Sequence, residues 1–144
     1  MQNHNLKFKN KKFLKTAIDF HGHLGPYLVL GILMGESAIN KYKFRRYFGT
    51  EIFVKGVDKK PKSCLIDGLQ ISTGCTYGKG NIHKLNGKRI EVEFINTENR
   101  KKLEIFFNED LIKKLNNLKG HRDSELFAQR ILRFDPTKLF GFKF

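Results

Sequence analysis

NIHKLNGKRIEVEFINTENRKKLEIFF, from Asn81 to Phe107, alternates apolar and polar side chains around two turn signals. Ile90, Val92 and Phe94 alternate with Glu91 and Glu93, the period of a strand that buries one face. Asn86-Gly87 lies between two extended runs, the strongest short-range hairpin signal a sequence carries. A second return at Asn96-Thr97-Glu98-Asn99 leads into Leu103 to Phe107. The segment therefore predicts a three-stranded antiparallel meander.

Helical patterns flank this centre. Asn10 is placed to cap a first helix through about Asp19, with Phe13, Leu14, Ala17 and Ile18 at helical spacing. Pro26 opens a second helix to about Tyr42, apolar almost all round at its start, in which Gly31 and Gly35 lie four apart on one face. Thr50 to Val57 reads as a strand with Ile52 and Val54 inward. Leu65 to Thr73 fits a short buried helix ended by Gly74, because Asp67-Gly68 would interrupt strand pairing. Asn108 caps a helix through Leu118 that Gly120 stops. Asp123 or Ser124 caps a last helix through about Phe134, closed by Pro136. Helices first and last with strands between them give an α+β fold, an antiparallel sheet with a central meander packed against helices, in one domain over residues 1–144.

Composition excludes several classes. The 144 residues suffice for one core, and 40% hydrophobic residues with fourteen Phe exclude a disordered chain. No apolar run approaches the roughly 20 residues that span a bilayer, and the basic amino terminus has no apolar segment behind it, so a cytoplasmic protein without membrane association is expected. A net charge of +14 invites a nucleic-acid reading. The lysines, however, lie in short groups such as Lys41, Lys43, Arg45 and Arg46 at the ends of apolar segments, outside any nucleic-acid-binding motif, which disfavours that partner.

Two stretches carry more polar and glycine residues than their apolar surroundings explain: Phe20 to Pro26, FHGHLGP, and Cys64 to Asn81, CLIDGLQISTGCTYGKGN. A polar cluster embedded in buried structure must be satisfied by hydrogen bonds, paired charge or a metal. His21 and His23 can converge on an ion only if Gly22 permits it, and two hydrogen-bonded or exposed histidines explain the motif equally. Cys64 and Cys75 lie eleven positions apart across a short helix and meet only if the chain folds back. A mixed His and Cys site would suit zinc, nickel or ferrous iron. Asp67 and Gln70 share one helix face; Asp67 reads either as a cap or as an orienting partner or general base beside a histidine. Gly74 to Asn81 is a glycine-interrupted loop whose N–H groups and Lys79 could cradle an anion, although Gly80 after Lys79 departs from the P-loop.

FHGHLGPYLVLG and CLIDGLQISTGCTYGKGN together resemble the core domain of the formylmethanofuran dehydrogenase E-subunit family. The resemblance implies an α+β core that dimerises. Its metal site would take His21, His23 and Cys64 as ligands, with zinc the first expectation and nickel or iron the alternatives. Asp67, Cys75 and Lys79 would be catalytic, Cys75 as a thiolate activated by a histidine or by Lys79. Gln70, Thr76 and Asn81 match further family positions and would bind a cofactor or small anionic substrate. The family name also implies one-carbon, methanogenic metabolism beside a larger molybdenum or tungsten enzyme, either as an oxidoreductase subunit or as a non-catalytic accessory or metal-delivery protein that docks an acidic partner. Two departures stand out. Many members carry a cysteine where this chain has Gly25, and no cysteine follows Cys75, so the paired CxxC finger of many members is not expected in this sequence.

Overall fold

The computed structural model describes residues 11–144. In chain order the elements are α1 (Lys11–His21), α2 (Pro26–Glu36) continued by a π-helical turn (Ser37–Lys41), β1 (Thr50–Lys55), α3 (Leu65–Thr73), β2 (Ile82–Leu85), β3 (Glu91–Asn96), β4 (Lys102–Phe107), α4 (Glu109–Asn116), α5 (Gly120–Ile131) and β5 (Phe140–Lys143). The expected α+β class is observed. The cap expected at Asn10 lies outside the described residues.

The five strands form one sheet in the order β2-β1-β3-β4-β5, antiparallel except for the β1–β2 pair. Half of the expected meander is present: β3 and β4 pair across the turn at residues 97–101, with Phe94 opposite Leu103. The other half is corrected. Asn86-Gly87 does not close a hairpin, because β2 pairs in parallel with the far edge of β1, Ile52 opposite Ile82. The 86–90 connection passes over the end of β1 instead. A Cβ added to its Gly87 would lie 3.0 Å from the Lys55 side chain and 3.1 Å from the Gly56 nitrogen. β1 alternates buried and half-buried residues along its length, whereas β2 buries only Ile82, so the strand with the larger apolar face lies inside the sheet and β2 takes the edge.

The inward sheet residues, among them Ile52, Val54, Val92, Phe94, Leu103 and Ile105, form one core with Leu30, Leu33 and Met34 of α2, Leu65 and Leu69 of α3, and Phe127 and Ile131 of α5. Ala17 of α1 joins Leu28 and Ile32 in a smaller cluster on the outer side of α2. At the carboxyl end, Asn108 caps α4 as expected, its Oδ1 accepting from the Leu111 N–H at 2.8 Å. Gly120 opens α5 rather than stopping α4, and Asp123 reaches back to accept from the Lys119 N–H at 3.1 Å. β5 was not expected; Asn108 fastens the chain leading into it, donating from Nδ2 to the Lys138 carbonyl at 2.8 Å.

α2 and α3 cross backbone to backbone. A Cβ on Gly31 would come within 3.0 Å of Gly68 Cα and of Leu69 N, and one on Gly68 within 2.8 Å of Ile32 N. Ser72 takes the place of a Gly35 side chain at the same crossing, its Oγ donating to the Gly68 carbonyl at 2.8 Å. This contact positions the first turn of α3 beside the turn between α1 and α2. No helix among the described residues is long and apolar enough to cross a membrane.

Candidate functional site

The α1–α2 turn is built around Gly22, whose φ of +113° is open to glycine and whose N–H donates to the Ile18 carbonyl at 2.6 Å. Gly25 caps α2 in extended backbone and Pro26 supplies its first residue. The two imidazoles diverge in exposure: the His21 side chain is 7% exposed, while His23 stands in solvent with its ring centroid 4.8 Å from that of His21.

Asp67, in the first turn of α3, lies with Oδ2 2.6 Å from His21 Nδ1. A carboxylate only accepts, so Nδ1 carries a proton, and in the neutral imidazole Nε2 keeps its lone pair. That Nε2 is buried and has no hydrogen-bond partner among the described residues. Buried polar atoms without partners are rare in folded proteins and mark a site whose other component is a ligand or a stored strain. Cys64 stands just ahead of α3, half-buried, and burial pushes its thiol up, the Asp67 carboxylate adding to the effect and Lys60 opposing it.

His21, His23 and Cys64 all line one groove of about 1040 Å³, floored by Leu24 to Leu28 and closed on the other side by the end of α4 and the start of α5. An imidazole nitrogen backed by a carboxylate, together with a cysteine sulfur, is a donor set that suits zinc, iron or nickel. Among the described residues, no three His, Cys, Asp or Glu side chains are gathered into a ready metal shell. As placed, the donors number fewer than the three protein ligands of a catalytic zinc site, so an ion anchored on His21 would need a shift of the exposed His23, or water and substrate, to complete its sphere.

The second half of the expected site lies elsewhere. Cys75 is wholly buried in the core, its Sγ donating to the Thr50 carbonyl at 3.7 Å, and burial pushes its thiol up, with Glu51 adding and Thr73 and Lys79 opposing. Both cysteines are free. The nine residues of α3, about 13 Å of helix, separate Cys75 from Cys64 and the histidines, so the four residues do not form one cluster. A buried, protonated thiol is also a poor nucleophile.

The glycine loop is corrected as an anion cradle, because nearly all of its N–H groups are already engaged. Tyr77 N–H donates to Gln70 Oε1 at 2.8 Å, Thr76 N–H to Asn81 Oδ1 at 2.9 Å, and Lys79 N–H to the Thr76 hydroxyl at 3.2 Å. Gln70, Thr76 and Asn81 thus shape this loop and do not border the groove. Asn81 also donates to the Tyr47 carbonyl at 2.9 Å. Lys79 extends over the rings of Tyr47 and Phe48, with its Nζ 6.0 and 5.8 Å from their centroids. Tyr77, in the same loop as Lys79, is 86% exposed.

Sequence reading assigned to the site neither Lys60 and Lys62 nor His121, Ser124 and Glu125, all of which line the groove. The signal was present in α5, whose inward positions turn from apolar to polar toward its amino end.

Comparison with known proteins bears on the same segments. The crystal structure of a protein from Syntrophus aciditrophicus, described as a tungsten formylmethanofuran dehydrogenase FmdE-like protein, superposes with a TM-score of 0.59 at 17% identity, over 92% of this chain and 70% of that one, a likeness of fold. A protein of Archaeoglobus fulgidus named a probable S-adenosyl-L-methionine-binding protein is 26% identical over 138 residues, 93% of this chain. Those residues are 36% of that relative, so the chain spans about a third of its length. The family described as "FmdE, Molybdenum formylmethanofuran dehydrogenase operon" matches residues 20–140. That match runs from Phe20, just ahead of the histidine turn, to the first residue of β5, and the chain belongs to the FmdE family.

Proposed function

We propose that the groove is a metal-dependent site in which His21 Nε2 is the anchoring ligand, His23 and Cys64 are the further donors, and zinc is the ion, with nickel and iron the alternatives. The observation that carries this reading is the buried, unpaired His21 Nε2, turned to present its lone pair by the Asp67 carboxylate. Held there, a divalent ion would supply Lewis acidity or a bound water of lowered pKa. Asp67 keeps the His21 proton on Nδ1, Leu24 and Leu28 exclude water from one side, and the open side admits a substrate.

In this reading the chain is a cytoplasmic subunit associated with one-carbon chemistry beside a molybdenum or tungsten enzyme, the association being supported by the family's operon. The net charge of +14 suits docking on an acidic partner. Tyr47 and Phe48, which share the Lys79 ammonium, and Tyr77 are large, exposed aromatics, and their exposure supports a homodimer formed through them.

Anaerobic purification with elemental analysis tests the metal reading. Stoichiometric zinc, nickel or iron, lost in His21→Ala and reduced in Cys64→Ala, is expected. No ion in any preparation, or full retention by His21→Ala, defeats it. Calorimetry with S-adenosyl-L-methionine on the same samples tests whether the ligand named for the Archaeoglobus relative is accepted by this chain. Light scattering of wild type against Phe48→Ser/Tyr77→Ser tests the dimer, which the double variant should dissociate.

A further inference from the structure

Phe127, Ala128 and Ile131 bury α5 against the core. Helical periodicity carries that inward face back through positions 124 and 121, each one turn nearer the amino end. There the side chains become Ser124 and His121, with Glu125 beside them, and all three line the groove. A second polar stretch of the lining comes from Lys60 and Lys62, just ahead of Cys64 in the chain. Among the described residues, the side chains of Lys62, His121, Ser124 and Glu125 make no hydrogen bond or ion pair, so their polar atoms are available to a ligand. Leu24, Tyr27, Leu28, Leu115 and Leu118 also line the groove, an apolar lining of the kind small-molecule sites use. The groove's volume of about 1040 Å³ lies at the upper end of the roughly 300–1,000 Å³ typical of such sites.

We propose that the groove binds a small organic anion, a carboxylate or phosphate on an apolar body, reaching both polar stretches of its lining. Lys60 and Lys62 hold the anionic end. Glu125 and Ser124 accept a hydrogen bond from an N–H or O–H at the other end, and His121 borders the path between them. Two ammonium groups against one carboxylate leave the groove cationic, which selects for a net negative ligand with a donor at its far end. The proposal rests on the groove being the functional site read above, and not on an ion being held at His21.

Four simple probes separate the parts: 4-hydroxybenzoate, 4-hydroxyphenyl phosphate, benzoate without the donor, and phenol without the charge. Titrated into ¹⁵N-labelled protein, the two hydroxylated anions should shift the amides of residues 60–64 and 120–125, and phenol should not. Lys60→Ala/Lys62→Ala should weaken both by about tenfold or more, the loss expected for charge-assisted hydrogen bonds. Glu125→Gln should weaken 4-hydroxybenzoate several-fold and leave benzoate unchanged. The tighter of the two hydroxylated anions tells a carboxylate ligand from a phosphate. Absence of shifts with every anion, shifts confined to other surfaces, or affinities unmoved in both variants overturns the proposal. Zinc uptake measured in parallel separates the two readings. Anion shifts in a protein that takes up no zinc defeat only the metal; zinc uptake without anion shifts defeats only this site.

Discussion

Replacing Gly31 by alanine places a methyl group inside the crossing of α2 and α3. Its Cβ would lie 3.0 Å from Gly68 Cα and from Leu69 N, and nearer still to the Leu65 carbonyl oxygen. Carbon atoms rest about 3.5–4.0 Å apart, so relieving the Gly68 and Leu69 contacts takes about 0.5–1 Å of separation, and the closer approach to the Leu65 oxygen takes at least the upper end of that range. Every obstructing atom is backbone, and no rotamer change relieves it. A gap of that size forfeits about a quarter to a half of each van der Waals contact across the interface. Overpacking of this kind costs about 1–3 kcal/mol, and the rigidity of the neighbours puts Gly31 at the upper end. Alanine returns about 1 kcal/mol through helix propensity, leaving a net loss of about 2 kcal/mol. At about 3–4 °C per kcal/mol for a chain of this size, Tm should fall by about 6–8 °C. Urea unfolding of Gly31→Ala beside Gly78→Ala checks this. The loop glycine has no atom nearer than 4.0 Å to its added Cβ and no left-handed backbone, and its substitution should change stability by less than about 0.5 kcal/mol. A Gly31→Ala variant as stable as wild type, or more so, would refute the close crossing as the device that aligns Asp67 with His21.

Three further outcomes are expected. Asp67→Asn should weaken zinc binding by about 10–100-fold with little change in fold stability, read by competition with a chromophoric chelator. Arg46 lies with NH2 3.6 Å from the buried Glu36 carboxylate and also donates to the Ser72 carbonyl. Removing that cation in Arg46→Ala should cost about 3 kcal/mol, part of it recovered when Glu36→Gln is added, as denaturation midpoints would show. Because burial raises the Cys75 thiol, the folded state holds that proton more tightly than the unfolded chain. Its stabilising contribution is therefore complete below the ordinary thiol value of 9.0 and is lost as pH rises through the folded one. Cys75→Ala should flatten the alkaline fall in stability between neutral pH and about pH 10, while Cys64 and Tyr27, also raised, keep part of the slope.

Local chemistry was readable from the sequence wherever the determining partner is close in the chain. Leu65 to Thr73 forms its helix, Gly74 ends it with φ +75°, and Asn108 caps α4. The Asn86-Gly87 signal is equally local, and it failed because the partner of β2 is chosen by the apolar face of β1, some thirty positions upstream. β5 was missed for a related reason: four residues, Phe-Gly-Phe-Lys, acquire strand geometry only against β4. In the site, the pairing of His21 with Asp67 follows from the Gly31–Gly68 crossing, of which the sequence displayed only the small residues. The displacement of Cys75 into the core follows from the length of α3, which places the two ends of one motif on different surfaces.

The interior place of β1, with a parallel neighbour on one side and an antiparallel one on the other, has a consequence for how the chain is made. Its β2-facing edge stays open until Leu85 has left the ribosome, about 30 residues after Lys55, and its β3-facing edge until the residues near Asn96 have done so, about 40 residues after Lys55. At about 5–20 residues per second that interval is about 2–8 s. During it the Ile52 and Val54 stripe is a template for other nascent chains, with Lys55, Lys59, Lys60 and Lys62 behind it as electrostatic gatekeepers. Yield in a foreign host should accordingly depend on translation speed and growth temperature more than on the equilibrium stability of the finished fold.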